Sequence, residues 1–217
     1  ERFLTPPAWL AARLHYSASS ASSSMMGYVM GLGDRHCQNI LLDCRTGQLC
    51  HIDLNMIFEQ GRTLRVPERV PFRLTREVVT AMGCHGVEHG FRAAAASFMS
   101  QIRVHADNVL MVLEVFKHDP LHHWPTAVKP AKRADNVFDK LSDLQTPHFP
   151  LPSSPSPSAP PNTTGARTSR FDMADRALLR VKEKVSGREE GAQISVAAQV
   201  EHLIQQASSA EALCQMY

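Results

Sequence analysis

Apolar positions recur at helical spacing over most of this chain. Pro6 and Pro7 stand behind Thr5 and open a helix through Trp9, Leu10 and Leu14, and a Ser/Ala-rich stretch carries on through Met25, Met26, Tyr28 and Val29. Thr75 is placed to cap a helix closed by Gly83. Phe91, Ala94, Ala95, Phe98 and Ile102 repeat over Val87 to about His105, and Asp107 can start a further helix that ends before Pro120. One region breaks the period. Ile40-Leu41-Leu42 and Leu49-Cys50-His51-Ile52 are short apolar runs around Asp43-Cys44-Arg45-Thr46-Gly47-Gln48, which predicts a β-hairpin in a mainly α fold.

The pattern stops at Thr146. Seven prolines between Pro147 and Pro161 fall among serines, so neither helix nor ladder can form, and residues 146–170 are expected to be a disordered linker behind a first domain at 1–145. Beyond it, Met173, Ala177, Leu178 and Val181 regain helical spacing, with Asp172 as expected N-cap and Gly187 as stop. Ser195 caps a second helix whose stripe is Val196, Val200, Leu203, Ile204 and Ala207, and residues 208–217 predict a further turn or two. This tail, 171–217, is too small to hold its own core and must dock on something larger.

Composition narrows the classes. With 217 residues, 43% of them hydrophobic, the chain can bury a core, and 23 basic against 21 acidic residues give no field for coating nucleic acid or lying on an anionic membrane. Five cysteines without a C-x-x-C pair predict neither a disulfide scaffold nor a zinc ribbon. They read as small buried hydrophobes in a reducing, intracellular compartment. No apolar run approaches the ~20 residues that cross a bilayer, and the first residues lack a leader pattern.

The chemistry gathers at the hairpin. Antiparallel pairing brings the residue before the first strand, Asn39, and the residue after the second, Asp53, to one open end. An amide oxygen beside a carboxylate is a hard-oxygen pair suited to Mg²⁺, which completes its shell with phosphate and water. Asp34 stands five positions before Asn39, the interval between Asp and Asn in the protein-kinase loop H-R-D-x-x-x-x-N, although here His36 follows the aspartate. Phosphoryl transfer needs such a hydroxyl-orienting carboxylate within reach of two metal-holding oxygens. Rival motifs fail: Gly31-Leu32-Gly33 has His36 at the sixth position of a dinucleotide fingerprint, and His85 and His89 lack a third ligand and read as surface histidines. His122 and His123 read as part of a helix end.

Gly31-Leu-Gly-Asp-Arg-His-Cys-Gln-Asn-Ile-Leu-Leu42, His51-Ile-Asp-Leu54, Phe58-Glu-Gln-Gly61, Val70-Pro-Phe-Arg-Leu-Thr-Arg76 and Met82-Gly83 resemble, in order and spacing, the phosphatidylinositol 3-kinase-related protein kinases, nearest their DNA-damage branch. Ser195 to Ala207 resembles the FATC segment that closes those kinases. The resemblance implies a kinase C-lobe with catalytic loop 31–42 and activation loop 53–75. It makes Asp34 the hydroxyl-orienting aspartate, His36 the support of the transferring phosphoryl charge, Asn39 and Asp53 the Mg²⁺ ligands, and Leu41 and Ile52 the floor under the adenine of ATP. It also implies protein substrates bearing Ser/Thr-Gln, DNA-break sensor proteins as partners without direct nucleic-acid contact, and a nuclear location.

Two departures stand out. Asn55 occupies a position where the family carries glycine, which predicts a left-handed turn at a cost of about 1 kcal/mol. Nothing before Glu1 supplies a glycine-rich phosphate loop or strand lysine, so a lobe without its N-lobe, cut short at both ends, is the expectation, and the isolated chain should be inactive. The rival readings are a noncatalytic remnant serving as an interaction module and a phosphoinositide lipid kinase. Against the latter, the activation loop carries only scattered Arg62, Arg65, Arg69 and Arg73.

Overall fold

The structure, a computed structural model, describes residues 3–118, 170–189 and 191–214. Helix α1 (Pro6–Met30) starts where expected: the Thr5 hydroxyl accepts from the Ala8 amide, the two prolines fill the first turn, and Gly31 at φ 62° ends the helix in a left-handed cap. Its buried face is made of small side chains, Ser17, Ser20, Ala21 and Ser24, before Met25 and Val29. That lets α3 (Arg92–Val104) approach closely, with Gly90 against Ser17.

Strands β1 (Ile40–Leu42) and β2 (Leu49–His51) form the expected hairpin, in antiparallel register Ile40↔His51, Leu41↔Cys50 and Leu42↔Leu49. Its turn is fixed by Asp43, whose carboxylate accepts from the Arg45 amide and the Thr46 hydroxyl, both at 2.9 Å. The hairpin is bolted to α1: the Leu49 amide donates to the Ser19 hydroxyl at 2.9 Å. At Gly47, with φ 78°, a Cβ would meet the Ala12 carbonyl oxygen at 2.7 Å, so only glycine lets the turn sit down on the helix.

Helix α2 (Arg76–Ala81) follows Thr75 as N-cap, although the Thr75 hydroxyl makes no bond to the first-turn amides. The helix expected over 87–105 begins with a wider π turn, Val87–Phe91, before α3. Helix α4 is Ala106–His118, and α5 (Arg170–Ser186) packs on it. Because α5 already runs from Arg170, Asp172 lies inside the helix and is not its N-cap, and Arg170 leaves the linker for the tail; Gly187 at φ 71° ends the helix as expected. A two-residue ladder of β3 (Arg188–Glu189) and β4 (Ala192–Gln193), too short to leave an alternating pattern, leads into α6 (Val196–Ala207) and α7 (Ala210–Cys214). Ser195 caps α6 by accepting from the Ala198 amide at 3.1 Å. The expected linker before Arg170, the end of the first domain and His122 and His123 lie outside the described residues.

One core runs through these elements. Met25, Phe91, Ala95, Met99, Val200 and Leu203 are each at most 1% exposed, so the tail's apolar stripe closes the core built by α1 and α3. The cysteines are otherwise than expected: Cys37, Cys44, Cys50, Cys84 and Cys214 are all exposed thiols, because they occupy turns, an outward strand position and a helix end instead of core-facing positions. His85 and His89 are exposed, their rings stacked 4.8 Å apart.

Candidate active site

Two backbone stretches run side by side beneath the hairpin. The Gly33 amide donates to the Met56 carbonyl at 2.8 Å, the Phe58 amide to Met30 at 2.7 Å and the Glu59 amide to Gly31 at 2.8 Å, so the loop after α1 and the segment after β2 form one stitched layer. From this layer Asp34 and Asp53 emerge, both with left-handed backbones, at φ 60° and φ 53°. An L-residue there costs of order 1–2 kcal/mol, which the surrounding bonds must offset.

Arg35 supplies much of that restraint. Its side chain is buried, and its guanidinium donates to the carbonyls of Gly33 at 2.8 Å, Ile52 at 2.7 Å and Asp53. One planar fork thereby fixes the distance between the loop that carries Asp34 and the strand end that carries Asp53. Burial pulls the Arg35 pKa down, and Asp34, Glu68 and Asp53 oppose it. The sequence gives no signal for this role, because a buried cation that satisfies carbonyls leaves no mark in spacing.

Asn39 ends the short 3₁₀ turn Cys37–Asn39 and is 7% exposed. Its side-chain nitrogen donates back to the Asp34 carbonyl at 2.9 Å, and its own carbonyl accepts from the Ile52 amide at 3.0 Å. The hairpin thus brings Asn39 and the Ile52-Asp53 strand end together, as the pairing arithmetic required. The amide that holds Asp34 through nitrogen offers its oxygen as a hard donor, and the Asp53 carboxylate accepts from Asn55 Nδ2 at Oδ1, 2.6 Å away. This donor set, an amide oxygen and a carboxylate, fits Mg²⁺. Asn55 itself is absent from the left-handed residues, so the expected strain at that position does not arise; Asp53 carries it instead.

His36 caps the same turn: its Nδ1 accepts from the Gln38 amide at 3.2 Å. With Nδ1 engaged as acceptor, the ring proton belongs on Nε2, which lies 3.8 Å from Asp34 Oδ1. Both side chains remain open to solvent, 49% exposed for His36 and 40% for Asp34. His51 behind them is half-buried, and burial followed by the charge of Arg35 holds its pKa below the ordinary histidine value.

Leu41 and Ile52 stand on one face of the hairpin by strand alternation, 49% and 40% exposed. A cavity of about 860 Å³ touches Leu41, with Tyr16, Leu49, Val78 and Leu213 in its wall, but reaches none of Asp34, His36, Asn39 or Asp53. The cavity that does meet Asp34 and His36 is smaller, about 180 Å³, and is walled by Leu64, Val66, Val70 and Phe72 of the segment after β2. No group of three His, Cys, Asp or Glu side chains able to hold a metal occurs among the described residues, so a cation here would draw on the Asp53 carboxylate, the Asn39 amide oxygen and oxygens from a ligand.

Residues 1–126 match the family described as phosphatidylinositol 3- and 4-kinase, and residues 193–217 match the FATC domain. The chain is 40% identical over 217 residues to the serine-protein kinase ATM of Sus scrofa, covering all of this chain and 7% of that protein. To the serine/threonine-protein kinase ATM of Arabidopsis thaliana it is 39% identical over 219 residues, covering all of this chain and 5% of the relative. Among solved structures, the FAT and kinase domain of CtTel1 superposes with a TM-score of 0.72 at 35% identity, over 98% of this chain and 12% of that one. The chain therefore spans less than a tenth of the curated relatives it matches. These likenesses bear out the motif-based reading of a kinase-related lobe with a FATC tail, and the branch they point to is ATM, Tel in fungi.

Proposed function

Because the chain belongs to the phosphatidylinositol 3- and 4-kinase family, we propose that it forms the catalytic lobe of an ATM-type protein serine/threonine kinase. The reaction is transfer of the ATP γ-phosphate to Ser or Thr hydroxyls of proteins at Ser/Thr-Gln sites, in nuclear DNA-damage signalling alongside DNA-break sensor proteins. The observation that carries it is the pair of left-handed aspartates, Asp34 and Asp53, clamped by Arg35 at the hairpin end that also holds Asn39.

Asp34 accepts a hydrogen bond from the substrate hydroxyl, aims its oxygen at the γ-phosphorus and receives the proton as the new P–O bond forms. His36, with its proton on Nε2, faces the same space and donates toward the phosphoryl oxygens as their charge shifts. Leu41 and Ile52 give the adenine an apolar floor. Asn39 and Asp53 would hold Mg²⁺, which, when bound, neutralises phosphate charge. The 180 Å³ cavity beside Asp34, with Leu64, Val66 and Val70 in its wall, receives side chains of an extended peptide.

Phosphate transfer is to be measured in the full-length gene product on a Ser-Gln peptide and on phosphatidylinositol vesicles. The expected result is peptide phosphorylation that falls about 10²–10⁴-fold in Asp34→Asn. Transfer to the vesicles alone would establish the lipid-kinase reading, and turnover that ignores Asp34→Asn would overturn the role given to this residue.

A further inference from the structure

Glu68 lies in the segment after β2, 34 residues beyond Asp34, and takes no part in the reaction as derived. Its Oε1 nevertheless accepts from two successive amides of the catalytic loop, Asp34 at 2.8 Å and Arg35 at 3.3 Å. Successive N–H groups converging on one carboxylate oxygen form an anion nest, and a charged acceptor makes such bonds short and strong.

The slot around this carboxylate is made by two glycines. A Cβ on Gly33 would lie 2.6 Å from Glu68 Oε2 and 2.8 Å from the Cα of Gly61, and a Cβ on Gly61 would lie 2.0 Å from the same oxygen. Neither glycine has a positive φ, so both are needed for space and not for backbone conformation. The Glu68 amide also donates to the Gly61 carbonyl at 3.1 Å, which closes residues 61–68 into a loop that presents the carboxylate. Arg35 fixes the Asp53 side of the site through carbonyls, whereas the amide of left-handed Asp34 is fixed by Glu68.

We propose that Glu68 is a positioning residue for Asp34: it latches the segment after β2 onto the catalytic loop, so that the aim of the Asp34 carboxylate depends on the 61–68 loop being closed. This rests on the reading of Asp34 as the hydroxyl-orienting aspartate. Glu68 also lines the cavity of about 180 Å³ beside Asp34, and its proposed effect on the reaction passes through the backbone of residue 34.

Two measurements test it. In the 217-residue chain, amide hydrogen exchange is compared for wild type, Glu68→Ala and Glu68→Gln. Glu68→Ala should speed exchange at Asp34 and Arg35 about 10-fold or more while the Ile52 amide, held by Asn39, keeps its protection. Glu68→Gln keeps an oxygen acceptor and should restore part of the protection. If Glu68→Ala does not fold, the Gln variant against wild type decides. Unchanged exchange at Asp34 in either folded variant overturns the latch.

In the full-length gene product, Glu68→Ala should lower kcat about 10–100-fold with KM for ATP unchanged, Glu68→Gln should recover part of it, and Glu68→Ala should add nothing in an Asp34→Asn background. A rise in KM for ATP with kcat intact, or additive losses in the double variant, would overturn the positioning role. If Asp34→Asn alone leaves turnover intact, the catalytic reading of Asp34 fails, and the exchange result alone then decides whether the latch exists.

Discussion

The packed core and the hairpin end are held in place by opposite means. Between α1, α3 with the turn before it, and α6, Met25, Phe91, Met99 and Leu203 belong to one apolar cluster, are at most 1% exposed, and owe their stability to area removed from water. At the hairpin end Asp34 and His36 face solvent while Arg35 and Asn39 are buried, and placement comes from directional bonds: Arg35 to three carbonyls, Asn39 to the Asp34 carbonyl, Glu68 to two amides. Packing tolerates shifts of part of an ångström, because dispersion and hydration have no preferred angle. At the hairpin end directional bonds lock the backbone itself, even in left-handed conformations at Asp34 and Asp53.

That contrast can be broken first from the core side. Phe91→Ala removes a fully buried ring that also lies 6.3 Å from Phe72, and should lower unfolding stability by about 3–5 kcal/mol in urea titration, with both regions lost together. Arg35→Met should cost less, about 1.5–3 kcal/mol, since it frees three carbonyls, but its effect is localised: exchange at residues 52–54 rises while α1 and α3 keep their protection. Equal loosening of core and hairpin in Arg35→Met would show that the two are not held separately.

A third contact joins the regions and is set by charge. Glu59, 14% exposed, meets Lys184 Nζ at 2.9 Å, Arg62 at 3.7 Å and Arg180, and Lys184 in turn donates to the Tyr28 carbonyl at 2.9 Å, so α5 is tied to the segment after β2 and to α1. Burial raises the Glu59 pKa, but Lys184, Arg62 and Arg180 together outweigh it and hold the carboxyl below its ordinary 4.5. A carboxylate with a lowered folded pKa contributes stability that is fully present above its unfolded value and is lost as pH falls through the folded one. Protection of α5 should therefore decline on acidification below about pH 4.5, and Glu59→Gln should flatten that decline.

The smallest effect is expected at Asn55. With no left-handed backbone to relieve, Asn55→Gly should shift stability by no more than about 0.5 kcal/mol. A gain of 1 kcal/mol or more would mean that the turn is strained after all.

The sequence made the scaffold legible where period and punctuation agreed. Pro6-Pro7 behind Thr5, the apolar runs around Asp43 to Gln48, and Ser195 before its stripe each predicted the element found, because capping and alternation are local. It misplaced Asp172, since a helix that extends three residues further leaves no trace in apolar spacing. The cysteines went wrong because residue type alone does not say which way a turn or an edge points. Interval and pairing placed Asp34, Asn39 and Asp53 at one end of the hairpin, where the folded chain brings them, whereas His36 was picked out only by the family resemblance. Arg35 and Glu68 were not legible, because they work through backbone carbonyls and amides whose positions only the folded chain defines.

Asn39 and Asp53 are proposed to hold one cation beside Asp34. Titrating Mn²⁺ with ATP into the isotopically labelled chain and reading paramagnetic broadening of amide signals tests it directly. Broadening should centre on residues 34–40 and 52–54 and disappear in Asp53→Ala; broadening centred on the Asp43 turn, or unchanged in Asp53→Ala, would rule out a shared cation there.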